Sequence, residues 1–275
     1  MRLLKQFGAI ALVSIAGNAL VNAMGWNPPL TLIAGLATSV MLLLAYRWVV
    51  RKTEGQLPAD LALPGAAASV RRGLLIGAGM FSSVIAIIAL LGGYEVVGWG
   101  SLTGAVAVFG FTAGAVVSEE LLFRGILFRI IEGRVGTWAA LVLTMLVFGL
   151  AHGFNPGATA WSTISVAVAA GGTLAAAYAA TRTLWLPIGL HFAWNFVQGG
   201  VFGNAISGKT APDGLLRGVT SGPTILSGGE FGPEASVFTV VIGLAVTFAF
   251  MRLARRRGLV LPRRRRIAAP TELTP

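Results

Sequence analysis

The sequence predicts an all-α polytopic membrane protein of about eight transmembrane helices, with both termini in the cytoplasm. Three observations carry that reading. Apolar residues make up 55% of the chain and charged residues 11%, with a mean hydropathy of +0.79, far from the balance of a soluble domain. The apolar residues are gathered into runs close to the ~20 residues that cross a hydrocarbon core of ~30 Å, without β-barrel alternation. The basic residues fall on alternate connections, which gives each run a direction.

The runs lie near 7–24, 29–49, 73–92, 101–123, 137–153, 158–180, 185–202 and 235–253. Arg2 and Lys5 precede the first, and Val21-Asn22-Ala23 ends it, so a cleaved signal peptide is the alternative to a helix there. Its apolar stretch is long for a signal peptide, and a retained helix is expected. The connections 1–6, 47–72, 124–136, 181–184 and 252–275 hold 19 of the 21 Lys and Arg residues. The opposite set, 25–28, 93–100, 154–157 and 203–234, holds only Lys209 and Arg217. The positive-inside rule then makes both termini cytoplasmic, which requires an even number of spans.

Segment 203–234 is rich in Gly, Pro, Ser and Thr, with Pro212, Pro223 and Pro233 opposing regular structure, and is expected to be a mobile extracytoplasmic loop. Residues 1–254 form one transmembrane domain, and 255–275 an Arg-rich cytoplasmic tail. Arg255-Arg256-Arg257 and the run Arg263 to Arg266 suit a stop-transfer anchor at the membrane surface. No nucleic-acid module or phosphate-cradling loop is present, so the bilayer, not nucleic acid, is the expected partner. With no cysteine, disulfides, thiolate metal ligands and a cysteine nucleophile are excluded.

Three polar motifs interrupt the apolar runs: Glu119-Glu120-x-x-x-Arg124, Phe148-x-x-x-His152 and His191-x-x-x-Asn195. Such groups are expensive in lipid and mark functional sites. Glu120 and Arg124, one turn apart, pair on one helix face as support, while Glu119 points ~100° away and is left without a partner. If Gly133-Arg134-Val135-Gly136 is the turn of an antiparallel helix pair, Glu119 and His152 differ in height by only ~3 Å at ~1.5 Å per residue. His191 and Asn195 share a face of the seventh span, entered from the short connection around Arg182. The three motifs are therefore expected to converge in one cytoplasm-facing cavity. Phe148 is expected to pack only. Gly110, Gly114 and Ser118, and likewise Ala167, Gly171, Ala175 and Ala179, form small-residue stripes that let helices approach closely.

A glutamate, two histidines and an asparagine suffice to hydrolyse an amide with activated water: the carboxylate accepts the proton, and the other groups hold water or donate to the oxyanion. No cofactor is then needed. The alternative is zinc held by Glu119, His152 and His191, although no His-Glu-x-x-His helix supports it.

These motifs resemble those of the CPBP family, the CAAX prenyl endopeptidase and bacteriocin-processing (Abi) intramembrane proteases. The likeness rests on Glu119-Glu120-Leu121-Leu122-Phe123-Arg124-Gly125, on Phe148-x-x-x-His152 and on Pro187-Ile188-Gly189-Leu190-His191 followed by Asn195, and covers roughly 101–202. The resemblance implies an endopeptidase in which Glu119 is the general base, His152 helps to hold the attacked water, and His191 and Asn195 stabilise the tetrahedral intermediate. Glu120 and Arg124 would orient them. It implies a membrane-associated peptide or protein substrate; with the charge count and helix levels, a cut near the cytoplasmic face by an integral, multi-pass protein of a bacterial cell membrane is expected. The competing class is a non-catalytic immunity protein, scaffold or transporter; neither the repeated halves nor the paired broken helices of a transporter are visible.

Overall fold

The structure, a computed structural model, describes residues 1–263; the rest of the arginine-rich tail, including Arg264, Arg265 and Arg266, lies outside the described residues. Eight helical segments follow the eight apolar runs. They are α1 (Arg2–Ala23), α2 (Pro28–Glu54), α3 (Ala66–Leu90), α4 (Leu102–Val135), α5 (Thr137–His152), α6 (Ala160–Thr181), α7 (Trp185–Asn195, continued by Phe196–Val201) and α8 (Val237–Arg256). Six of them, all but α5 and α7, are long and apolar enough to cross a membrane; α5 has only 16 residues. The polytopic all-α architecture is therefore present. α4 differs most from expectation, running unbroken for 34 residues past the expected end near 123.

Local chemistry sets the ends. Asn27 accepts a hydrogen bond from the Leu30 amide ahead of Pro28, Ser101 from the Gly104 amide, and Ser236 from the Thr239 amide. Gly136, at φ +85°, makes the α4–α5 turn where the sequence placed it. Arg182 also turns with positive φ, at 55°, and is held there by Glu132 of α4, which its guanidinium meets at 2.5 and 3.0 Å, and by the Leu259 carbonyl.

Small residues bring backbones together. A Cβ at Gly35 would stand 1.8 Å from the Gly110 carbonyl oxygen, so α2 and α4 cross here in near backbone contact. A Cβ at Gly77 would stand 2.1 Å from the Leu190 carbonyl oxygen, which presses α3 onto α7 beside His191.

The segment expected to be a mobile loop is folded. Strand β1 (Tyr94–Trp99) pairs antiparallel with β2 (Leu216–Thr220), with an irregularity between Val96 and Gly98. Tyr94 also donates to the Phe202 carbonyl at 3.0 Å. Farther on, Phe231, Pro233, Glu234 and Ala235 are buried against the bundle, where Ser165 donates to the Glu234 carbonyl and Trp161 to the Ala235 carbonyl, each at 2.7 Å. Outside regular structure the backbone carbonyls of this segment are satisfied by side chains of the bundle instead.

Candidate active site

Two of the three polar motifs sit beside irregularities in their helices. Directly after Glu120, α4 widens into a π-turn over Leu121–Phe128; directly after Asn195, α7 does the same over Phe196–Val201; and α6 does so over Ala167–Gly172. Such turns recur where a helix must re-aim side chains at a site. Here the α4 turn carries Arg124 toward α6, where it donates to the Gly171 carbonyl at 3.2 Å and the Ala170 carbonyl at 3.4 Å.

Beneath the site lies a buried charge pair. Glu120 is 0% exposed and Arg124 2%. Arg124 donates to Glu120 Oε1 at 2.9 Å, and the same oxygen accepts from His191 Nδ1 at 2.8 Å. The guanidinium also stands over the Phe148 ring at 4.6 Å from its centroid, a cation–π contact. Phe148 therefore does more than pack: its ring supports the arginine, and its carbonyl accepts from His152 Nδ1 at 2.9 Å.

Both imidazoles are oriented by acceptors. A carbonyl or carboxylate can only accept, so each Nδ1 carries the proton and each Nε2 is turned the other way. The two Nε2 atoms converge on Glu119: each lies 3.9 Å from its Oε2. That oxygen is shielded from solvent and has no direct hydrogen-bond partner. A separation of 3.9 Å is too long for a direct hydrogen bond and suits a bridging water. Glu119, His152 and His191 thus meet as the level count expected.

Two adjoining cavities are shared by these residues. The larger, about 170 Å³, is lined by the α4 face Phe111, Ala115, Glu119 and Phe123, and by Ala151, His152, Asn155, Asn195, Ile206, Ser207 and Lys209. The smaller, about 20 Å³ and large enough for one water, lies among His152, His191, Asn195, Ser207 and Glu234. Asn195 therefore borders both.

One expectation is corrected here. The larger cavity is walled by Asn155, Ile206, Ser207 and Lys209, all in the arginine-poor connections, and by no residue of the arginine-rich ones. Toward the arginine-rich end the path is filled by the Glu120–Arg124 pair, then by Phe128 edge-on to Tyr178 at 5.6 Å, then by the Glu132–Arg182 clamp. The cavity does not face the arginine-rich side. The earlier count levelled Glu119 with His152 correctly but did not weigh that His152 is the last residue of its helix, ~24 Å from the Gly136 turn.

Glu234 is the residue sequence reasoning missed. It is 5% exposed, and its carboxylate accepts from the Ser207 amide, fastening the stretch that walls the larger cavity. Burial pushes this carboxyl up to about 7, with the Ser207 hydrogen bonds opposing the shift. The available signal was an acidic residue directly before the Ser236-capped α8, hidden in a segment whose prolines and glycines read as loop.

For zinc, the set to consider is Glu119, His152 and His191. Two ligand atoms on one tetrahedral zinc with bonds of ~2.1 Å lie ~3.4 Å apart, closer than the 3.9 Å here. Among the described residues, no group of three or more His, Cys, Asp or Glu is placed to hold a metal ion.

The family model described as type II CAAX prenyl endopeptidase Rce1-like matches residues 99–197. This segment is Rce1-like. The matched segment runs from α4 into α7 and holds all three polar motifs, while α1 to α3, the whole 203–236 segment and α8 lie outside it. Neither the curated proteins nor the solved structures gave a match.

Proposed function

We propose that this chain is an intramembrane endopeptidase that hydrolyses a peptide bond with water activated by Glu119. The observation that carries the reading is the convergence of His152 Nε2 and His191 Nε2 on Glu119 Oε2, each at 3.9 Å, at the border of both cavities.

Glu119 Oε2 accepts a proton from a water held against His152 Nε2, and the water oxygen forms a bond to the substrate carbonyl carbon. His191 and the Asn195 amide donate hydrogen bonds to the oxyanion that develops. For His191 this role needs a proton on Nε2 as well as on Nδ1, and the resulting positive charge is balanced by the Glu120 carboxylate at 2.8 Å. Glu119 then gives its proton to the leaving nitrogen as the C–N bond breaks, so the carboxylate is regenerated and one water is consumed. Glu120, Arg124 and Phe148 are positioning residues: they hold the imidazoles and do not touch the reacting atoms. A metal-free reaction is the reading we prefer, because both histidine Nε2 atoms stand farther from Glu119 Oε2 than two ligands of one zinc ion would.

The substrate reading follows the cavity. Phe111, Ala115, Phe123 and Ile206 give it apolar walls, suited to a peptide segment that enters from lipid. Comparing the membrane proteomes of cells carrying wild type and Glu119→Gln tests the proposal. New peptide ends are expected only with wild type; identical fragment sets, with both proteins inserted at equal levels, would refute it.

A further inference from the structure

Access to the site has a side. The cavity that exposes Glu119 is bounded by Asn155 in the α5–α6 connection and by Ile206, Ser207 and Lys209 in the segment after α7. These belong to the connections that hold only two of the 21 Lys and Arg residues. The strip from Phe111 through Ala115 to Glu119 runs from the first half of α4 inward, so the cavity extends from the carboxylate toward that same end. The opposite end is closed by fully buried side chains: Leu121, Ile126 and Phe128 are each 0% exposed, and Arg124 only 2%. Aromatic residues mark both rims. Trp48 and Trp138 are exposed at the arginine-rich end, while Trp99 and Phe154 are exposed at the end where the cavity opens.

Mouth and charge bias lie at opposite ends of the bundle. Because the positive-inside rule places the arginine-rich connections in the cytoplasm, we propose that the substrate reaches Glu119 from the extracytoplasmic side. The substrate class is then a segment of an exported or membrane-anchored protein presented at the outer surface, not a cytoplasmic chain end. The folded 203–236 segment is the outer wall of the site. Ser207 closes it in two ways: its amide is held by Glu234 of the same segment, and it borders both cavities. The substrate class rests on the proteolytic reading; the side of access does not.

The absence of cysteine in the chain makes sidedness directly measurable. Single cysteines are introduced as Lys209→Cys at the mouth and Arg134→Cys at the exposed α4–α5 turn, and labelled with a membrane-impermeant maleimide in intact spheroplasts and in inside-out vesicles. Lys209→Cys is expected to label at least tenfold faster in spheroplasts, and Arg134→Cys at least tenfold faster in inside-out vesicles. The reverse pattern, or labelling of both from one side, would overturn the proposal. In a second arm, Ser207→Cys is modified by the same impermeant reagent on intact spheroplasts, and its cleavage is compared with that of the unmodified variant. At least a tenfold loss on modification is expected. Undiminished cleavage by fully modified protein would remove this mouth as the entry route. The absence of cleavage by wild type would instead count against the proteolytic reading and leave the labelling result standing.

Discussion

Replacing Glu120 by glutamine separates the support of the site from its chemistry. The side chain keeps its size, but the negative charge facing Arg124 at 2.9 Å and His191 at 2.8 Å is lost. Arg124 is 2% exposed, and its remaining direct partners are the carbonyls of Ala170 and Gly171 and the Phe148 ring; the Glu119 carboxylate acts on it only at longer range. Breaking a buried pair by removing one partner costs ~3–5 kcal/mol, because the other charge remains uncompensated. Removing both charges with apolar groups of similar volume is close to neutral. Glu120→Gln is therefore expected to lose ~3–5 kcal/mol, and Glu120→Leu combined with Arg124→Met to recover most of that loss while staying inactive, since His191 has still lost its carboxylate. Resistance to unfolding in a graded detergent denaturation, read beside cleavage rate, is the assay. A single variant as stable as wild type would show that Glu120 does not compensate the buried Arg124 charge.

Other consequences follow from the same contacts. Phe148→Ala removes a ring that is 1% exposed and lies under Arg124, and should cost ~3–5 kcal/mol by detergent denaturation, with Phe148→Tyr far milder if the extra hydroxyl is accommodated. Gly77→Ala places a methyl 2.1 Å from the Leu190 carbonyl oxygen, so it should displace α7 beside His191 and lower cleavage more than tenfold; unchanged cleavage would mean that α3 does not fix that histidine. Glu234 is favoured in its neutral form, with its value raised from 4.5 to about 7, so the folded protein keeps a proton that the unfolded chain releases. Its stabilising effect is complete below about 4.5 and is lost as pH rises to about 7, by ~3 kcal/mol at ~1.4 kcal/mol per pH decade, and Glu234→Gln should flatten that profile. Extensive chelation should leave the cleavage rate unchanged; stoichiometric zinc in the active fraction would overturn the metal-free mechanism.

Much of the bundle was legible because lipid imposes one demand on every span, and a run of apolar residues meets it visibly. The turn at Gly136 and the level of Glu119 with His152 followed from counting residues at constant rise. The contact between His191 and Glu120 was harder to read: sequence spacing shows partners one turn apart, such as Arg124, but not a partner 71 residues away across a helix interface. The same limit hid strand β2, whose partner β1 lies more than a hundred residues earlier, and Glu234, whose burial depends on the surrounding fold. The orientation of the cavity was misjudged because heights along helices say which residues are level, not which end of the bundle is plugged. Phe128, Tyr178 and the Glu132–Arg182 clamp decide that.

The most direct test of the account is the cleavage rate of purified, reconstituted Glu119→Gln beside wild type, with both shown to be equally folded. Glu119 is only partly buried and has no direct hydrogen-bond partner at Oε2, so the substitution should spare the fold. A loss of at least a thousandfold in rate is expected, with unchanged denaturation behaviour. Cleavage at the wild-type rate would contradict it.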